Sequence, residues 1–106
     1  MQERRNHPRA IGFLQASWHQ GRVSGQGRIA NLSAGGCFLE PHEFSSPTGR
    51  IRVHVGLPRA GGFWLSGDVV HVRQGSGFGV RFTELTEESL AVLNRAVAYL
   101  TDGSPP

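Results

Sequence analysis

The sequence predicts a mostly β fold, a small six-stranded antiparallel β-barrel followed by one C-terminal α-helix. Short apolar stretches alternate with 15 Gly and 6 Pro, a pattern typical of many short strands joined by turns. Only the C-terminal quarter of the chain lacks this pattern of Gly and Pro between short apolar stretches. With 106 residues, the chain is long enough for one core. We expect an arm over 1–9, the barrel and helix over 10–101, and a disordered tail over 102–106.

The segment that precedes the first predicted strand is polar and rich in arginine. Arg4, Arg5 and Arg9 lie around Pro8, ahead of any apolar position that a strand could bury. The segment therefore predicts a flexible arm. Proline fixes one φ, which lowers the entropy cost of ordering such an arm.

Two strands are predicted before residue 33. The first covers 10–18 and has three apolar side chains on one face: Leu14, Ala16 and Trp18. Its alternation changes near Phe13, which either a β-bulge or burial on both faces would accommodate. The second strand covers 21–32, with Ile29 as its principal core residue, although internal glycines weaken the pattern.

A turn is predicted over 31–36, because Asn and Ser side chains bond nearby backbone groups and Gly35 and Gly36 permit positive φ. A third strand then runs to Pro41, in which Cys37 and Leu39 face inward and Phe38 outward, or the reverse. The alternation in 51–57 is the clearest in the chain and predicts a half-buried strand with four inward residues. These are Ile51, Val53, Val55 and Leu57.

The remaining elements are two strands and the helix. A strand over 63–73, bent at Gly67, leads through a turn at 74–76 to a last strand over 78–82. Thr86 is a suitable N-cap for the helix, and two Glu follow it in the first turn. The predicted buried stripe of the helix comprises Leu90, Leu93, Val97 and Leu100.

The residues that enzymes and metal sites require do not form a recognisable pattern. The five His are isolated, with no HxxxH or CxxC spacing, and the one Cys, Cys37, lies in a predicted strand as a buried structural thiol. There is no nucleophile elbow and no phosphate-binding loop. The sequence therefore predicts no catalytic activity, no metal site and no cofactor.

Charge and hydropathy limit the location and the partners of the chain. Without a signal peptide, a possible disulfide or an apolar run long enough to span a bilayer, we expect a cytoplasmic protein that does not insert directly into membranes. The formal net charge of +3 is carried by arginine, whose planar guanidinium suits bidentate recognition of phosphate or guanine.

Three motifs occur in a specific order along the chain. The arm contains RxxxR from Arg5 to Arg9, the predicted turn fits [D/N]xSxxG from Asn31 to Gly36, and the last strand contains GxGVxF from Gly77 to Phe82. With the C-terminal helix, this ordered set resembles the PilZ domains, which are bacterial receptors for cyclic di-GMP. The resemblance covers nearly the whole chain.

The resemblance implies that the chain binds cyclic di-GMP through the arm and the turn. Arg5 and Arg9 would bind the phosphates and the Hoogsteen edges of the guanines. Asn31, Ser33 and Gly36 would face the ligand on the barrel surface, as the residues of the turn motif do in the family. An arginine at the position of Arg4 is associated in the family with an intercalated pair of ligand molecules. Binding would order the arm.

Two positions depart from the commoner pattern of the family. Asn31 replaces the usual Asp, and an amide accepts less well from guanine N1–H and N2–H₂ than a carboxylate does. Many relatives have a Trp that stacks on guanine in the strand before the last one, and by its spacing from GxGVxF that position falls at or near His71, with Arg73 nearby as a further cation. Trp18 and Trp64 are interpreted as packing residues.

Three functions remain open on the sequence. The first is a cyclic di-GMP receptor that signals through its ordered arm to an unidentified effector protein in motility, exopolysaccharide or biofilm control. The second is a PilZ-like adaptor with weak or no nucleotide binding, related to type IV pili. The third, a barrel that binds single-stranded nucleic acid, is least favoured, because the strands lack exposed aromatics interleaved with Arg or Lys. We therefore expect no nucleic acid polymer as a partner.

Overall fold

The computed structural model describes residues 13–43 and 47–103. It contains six strands and one helix, in chain order β1 (Leu14–Gln20), β2 (Val23–Leu32), β3 (Gly36–Pro41), β4 (Gly49–Leu57), β5 (Gly61–Arg73), β6 (Gly77–Thr83) and α1 (Glu87–Asp102). The strands form a closed barrel in the order β1-β2-β3-β6-β5-β4, and all neighbours are antiparallel. The predicted fold class is confirmed.

The barrel interior is filled by the inward side chains that the alternating patterns predicted. Leu14, Ala16 and Trp18 of β1 are all buried, and Ile29 of β2 is fully buried. The four predicted inward residues of β4 are buried too: Ile51, Val53, Val55 and Leu57. In β3, Cys37 and Leu39 face inward and Phe38 faces outward. These strands exclude water from one apolar core.

A glycine within β2 makes room for the largest core side chain. Gly25 lies opposite Trp18 in the β1–β2 pairing, and a Cβ on Gly25 would approach the indole to 2.7 Å. The glycines that weaken the strand pattern in the sequence therefore have a packing role at this position.

The irregularity of β5 does not lie at Gly67, where the sequence predicted a bend. The register of β5 on β6 shifts between Val69 and His71, so that Val70 is the additional residue of a β-bulge. Gly67 stays in regular register opposite Phe82, and a Cβ there would approach Val80 Cγ1 to 2.6 Å. Gly67 thus permits close packing and does not bend the strand.

The helix begins where the sequence predicted, but its buried face is rotated. Leu93, Ala96 and Leu100 are buried, whereas Leu90 is 37% exposed and Val97 is half-buried. Leu90 and Val97 lie on the same flank of the helix, and Ala96 lies on the opposite side of Leu93. The small Ala96 side chain lets that side contact the barrel, so two residues of the predicted stripe are wrong as core residues. The helix includes Asp102 and ends at the left-handed C-cap Gly103.

The N-cap of α1 provides a test of the helix boundary. Ser89 N donates to Thr86 Oγ1 at 3.0 Å, which satisfies one free amide of the first turn. We expect Thr86→Ala to lower the free energy of unfolding by about 1 kcal/mol in urea denaturation followed by circular dichroism. Thr86→Ser keeps the hydroxyl and is expected to stay close to wild type. Equal losses in both variants would contradict a capping role.

Candidate ligand-binding site

Two β-bulges set the direction of the candidate site residues. The register of β2 on β3 shifts between Ile29 and Asn31, as that of β5 on β6 does between Val69 and His71. Side chains two residues apart in a regular strand share one face. Each bulge breaks this rule, so Asn31 and His71 lie on the outer face although Ile29 and Val69 face the interior.

The two bulges place these residues in one row across four strands. Asn31 pairs with Phe38, Phe38 pairs with Gly79, and Gly79 pairs with His71. Because side chains directly opposite each other on one face are neighbours, the row forms a continuous strip on the outside of the barrel. Asn31 and His71 lie at its two ends.

Glycines of β6 give the middle of this strip its shape. Phe78 and Val80 are buried inside the barrel, so Gly77 and Gly79 face outward without a side chain. A Cβ on Gly79 would approach His71 Cε1 to 2.7 Å, and a Cβ on Gly77 would approach Phe38 Cε2 to 3.0 Å. The glycines of the GxGVxF motif therefore let two rings lie close over the backbone of β6.

These rings form an aromatic platform together with a nearby cation. The Phe38 and His71 rings are stacked at 27° with centroids 6.2 Å apart. The Arg73 guanidinium carbon lies 5.3 Å from the Phe38 centroid, within the range of a cation–π interaction. Such a platform can bind a planar base by stacking, while Arg73 can bind an anionic group.

The turn between β2 and β3 is fixed by its own hydrogen bonds. Ser33 N donates to the Gly36 carbonyl at 2.9 Å, and Gly35 N donates to Ser33 Oγ at 3.2 Å. Phe82 N donates to the Gly35 carbonyl at 3.0 Å, which ties the turn to β6. The Ser33 hydroxyl thus shapes the turn that borders the platform.

The predicted reason for the two turn glycines requires correction. Neither Gly35 nor Gly36 has a positive φ. A Cβ on Gly36 would overlap the Val80 carbonyl oxygen, whereas a Cβ on Gly35 would meet only Ser33 Oγ at 3.9 Å. Gly36 is therefore required by the close approach of β3 and β6, and the Gly35 backbone would accept alanine.

A pocket of about 530 Å³ lies over the platform and the turn, within the usual volume range of small-molecule sites. It is lined by Asn31, Leu32, Ser33, Gly36, Cys37, Phe38, Glu40, His71, Arg73, Ser76 and Gly79. Five predicted site residues are thus brought together: Asn31, Ser33, Gly36, His71 and Arg73. The other three predicted site residues, Arg4, Arg5 and Arg9, lie outside the described residues.

The sequence did not identify Phe38 or Glu40 as site residues. Both lie on the outer face of β3, two residues apart, and both line the pocket. The outward direction of Phe38 was one of two options left by the alternation in β3. Its contact with His71 depends on pairing through β6, which the sequence pattern does not reveal.

Cys37 contributes a buried wall of the pocket and no reactive thiolate. Its side chain faces the core, and burial raises the pKa of the thiol to about 12. The thiol therefore stays protonated at neutral pH, since the thiolate is disfavoured by desolvation. This agrees with its interpretation as a structural residue.

Within 13–43 and 47–103, no group of three or more His, Cys, Asp or Glu is placed to hold a metal ion. None of the helices in that part of the chain has the length and hydropathy of a membrane span. Trp18 is buried in the core, whereas Trp64 is 43% exposed and contacts His19, His54 and Arg52 on the outside of the barrel.

The closed barrel, the single helix and the outer pocket beside the β2–β3 turn define a small β-barrel domain with a candidate ligand pocket on its outer face. Residues 3–99 match the family model of the PilZ domain. The chain therefore belongs to the PilZ domain family, whose members are ligand-binding receptors rather than enzymes.

Solved PilZ structures have the same fold. The chain is similar to the PilZ domain with c-di-GMP of YcgR from Escherichia coli, with a TM-score of 0.72, 17% identity and 92% coverage of each chain. It is also similar to the PilZ domain of CeSA from a cellulose-synthesizing bacterium, with a TM-score of 0.62, 16% identity, and coverage of 81% of this chain and 90% of that one.

A third structure contains the domain as part of a longer chain. The Bacillus subtilis inhibitor of motility, MotI/DgrA, matches with a TM-score of 0.65 and 16% identity over 90% of this chain and 49% of that protein. At these identities, the similarities establish a common fold. The search of curated proteins found no match.

Proposed function

We propose that this PilZ domain is a receptor for cyclic di-GMP. The observation that carries the proposal is the pocket in which Asn31, Ser33 and Gly36 of the turn lie beside His71 and Arg73 of β5. Residues from distant parts of the sequence meet there, and four of them, Asn31, Ser33, His71 and Arg73, have side-chain groups suited to a cyclic dinucleotide. The similar YcgR domain, which was solved with c-di-GMP, supports the same ligand class.

The described residues suggest a division of roles in the pocket. The stacked rings of Phe38 and His71 present a flat surface for one guanine. These two smaller rings take the place of the larger indole of many relatives. The exposed Arg73 guanidinium lies near this surface and is suited to a ligand phosphate or to guanine O6 and N7. Asn31 and Ser33 border the opposite side of the pocket.

The arm supplies the remaining contacts in this proposal. Arg5 and Arg9 bind the phosphates and the guanine Hoogsteen edges, and the arm becomes ordered on the ligand. Arg4 allows an intercalated pair of ligand molecules to bind. The ordered arm then presents a new surface to an effector protein in the cytoplasm, for which motility, exopolysaccharide or biofilm machinery are the candidate systems. The similarity to an inhibitor of motility supports the first of these.

The distribution of arginines favours a small anionic ligand over a nucleic acid polymer. Among the described residues, Arg28 pairs with Glu40, Arg50 with Asp68 and Glu84, and Arg81 with Asp68. These ion pairs involve three of the eight arginines in the described residues, which lowers the positive charge available to a polynucleotide backbone. A phosphate of a small ligand needs only local cations, which Arg73 and the arm provide.

Isothermal titration of cyclic di-GMP tests the proposal. We expect micromolar binding by wild type, equivalent to about 8 kcal/mol, and loss of binding in Arg5→Ala/Arg9→Ala, because the phosphates lose their cations. Arg22→Ala/Arg59→Ala removes the same charge from exposed sites elsewhere and is expected to bind as wild type does. GTP and cyclic GMP serve as specificity controls.

The stoichiometry of the same titration tests the role of Arg4. Two ligand molecules per wild-type domain and one in Arg4→Ala would support an intercalated pair. An absence of heat and of competition at high micromolar cyclic di-GMP would overturn the receptor proposal. The adaptor function would then be favoured, because Asn31 and His71 replace the stronger acceptor and the larger ring of many relatives.

A further inference from the structure

Glu40 is the one acidic residue among the described residues that line the pocket. It faces outward from β3 beside the Phe38 platform, and its side chain is 32% exposed. A carboxylate in a site for an anionic ligand repels the phosphates. The part of the ligand that faces Glu40 must therefore be a group that donates hydrogen bonds.

Arg28 holds the Glu40 carboxylate in position. The two residues are register partners on β2 and β3, and Arg28 Nε lies 2.9 Å from Glu40 Oε1. The Arg28 guanidinium carbon also lies 3.8 Å from the centroid of the Phe13 ring, so Arg28 is itself held from a second side. Within the described part of the chain, Arg28 is the side chain that hydrogen-bonds to Glu40, and Oε2 remains available.

The chemistry of the bases identifies the complementary group. The Watson–Crick edge of guanine carries two adjacent donors, N1–H and the 2-amino group, whereas adenine presents an acceptor at N1. An ionised carboxylate has only acceptors and can receive both donors at once. Asn31 lies on the neighbouring strand β2, and its side-chain amide has a single acceptor oxygen next to its own donor group. It therefore cannot accept both guanine donors as a carboxylate does.

We propose that Glu40 determines the specificity of the pocket for guanine, by accepting hydrogen bonds from N1–H and the 2-amino group of one base of cyclic di-GMP. Arg28 is its positioning residue. This inference rests on the proposed receptor function and adds a residue outside the three sequence motifs. Glu40 would then supply, at another place in the pocket, the carboxylate that is absent at Asn31.

The test compares Glu40→Gln with wild type in titrations of cyclic di-GMP and cyclic di-IMP, which lacks the 2-amino groups. Wild type is expected to prefer cyclic di-GMP by about tenfold or more, the scale of a good bidentate base contact. In Glu40→Gln, the affinity for cyclic di-GMP is expected to fall about tenfold, while that for cyclic di-IMP falls less. The preference between the two ligands therefore decreases.

The direction of the change separates base recognition from charge. If Glu40 acts only through its negative charge, its removal strengthens the binding of both anionic ligands equally. Glu43→Gln is the matched control, because it removes the same charge at a position three residues further along the chain. The Glu43 side chain is exposed and does not line the pocket. Arg28→Gln is expected to reproduce part of the loss of preference, since it releases the carboxylate.

The possible outcomes distinguish this inference from the receptor function. If wild type binds cyclic di-GMP and Glu40→Gln keeps the wild-type preference over cyclic di-IMP, the inference is wrong and the receptor function stands. If wild type binds neither dinucleotide, both are wrong. A Tm close to wild type shows that a loss of affinity in Glu40→Gln does not come from unfolding.

Discussion

Trp18→Ala is expected to lower the free energy of unfolding by about 3–5 kcal/mol, a large part of the total stability of a small domain. The side chain is 1% exposed and packs edge to face on Phe78, with ring centroids 6.0 Å apart. Gly25 on the neighbouring strand leaves space for the indole. Alanine would leave a cavity that the closed barrel cannot collapse to fill.

Trp64→Ala is the matched control for this prediction. The same residue type is removed, but Trp64 is 43% exposed and lies on the outer face against His54 and Arg52. We expect a loss of less than about 1 kcal/mol, as is usual for exposed aromatic contacts. Urea denaturation followed by circular dichroism measures both variants. Similar losses at the two positions would contradict the assignment of Trp18 to the centre of the core.

The second large effect is expected at Gly36, where alanine should destabilise the domain by about 1–3 kcal/mol. An added Cβ would overlap the Val80 carbonyl oxygen, and this atom belongs to the backbone of β6, which cannot move without breaking the β3–β6 pairing. The turn that borders the pocket would move with it, so we also expect weaker binding of cyclic di-GMP in the proposed site.

Gly35→Ala gives the opposite expectation one residue earlier. Its φ is not positive, and the nearest atom to an added Cβ is Ser33 Oγ at 3.9 Å. Alanine restricts the unfolded chain more than glycine does, so the variant should be as stable as wild type or more stable by about 0.4–1 kcal/mol. Thermal and urea unfolding of the two variants side by side check the contrast. A destabilised Gly35→Ala with a normal Gly36→Ala would reverse our interpretation of the turn.

The sequence predicted the parts of the fold whose residues repeat with a regular period. The alternation of 51–57 placed four side chains correctly in the core, because a strand with one buried face must alternate. The Thr86 N-cap likewise marked the start of α1. Periodicity alone did not predict which face of α1 is buried. It favoured Leu90, which is more hydrophobic, and gave no weight to the small Ala96.

The outward direction of the site residues could not be predicted in the same way. A continuous alternation from Val69 would place His71 inside the barrel, and the same holds for Ile29 and Asn31. The extra residues that reverse these directions leave no signal in composition or period. The sequence instead favoured irregularities near Phe13 and at Gly67, the latter of which is wrong.

Contacts across strands were likewise beyond the sequence pattern. The turn motif drew attention to Asn31, Ser33 and Gly36, which line one pocket with His71 and Arg73. The sequence did not predict Phe38 and Glu40 as site residues, because their neighbours come from β2 and β6. The register between these strands is set by the folded barrel. The predicted roles of the arm arginines remain predictions.

The closed barrel limits how this domain can engage another protein. Each described strand pairs with a neighbour on both sides over at least part of its length, so no described strand has a fully open sheet edge. Recruitment by strand addition, in which an extended peptide extends an open sheet edge, is therefore not available to the barrel. An effector must instead recognise side chains on the curved outer face or on the helix, and its selectivity will depend on shape and charge rather than on backbone pairing.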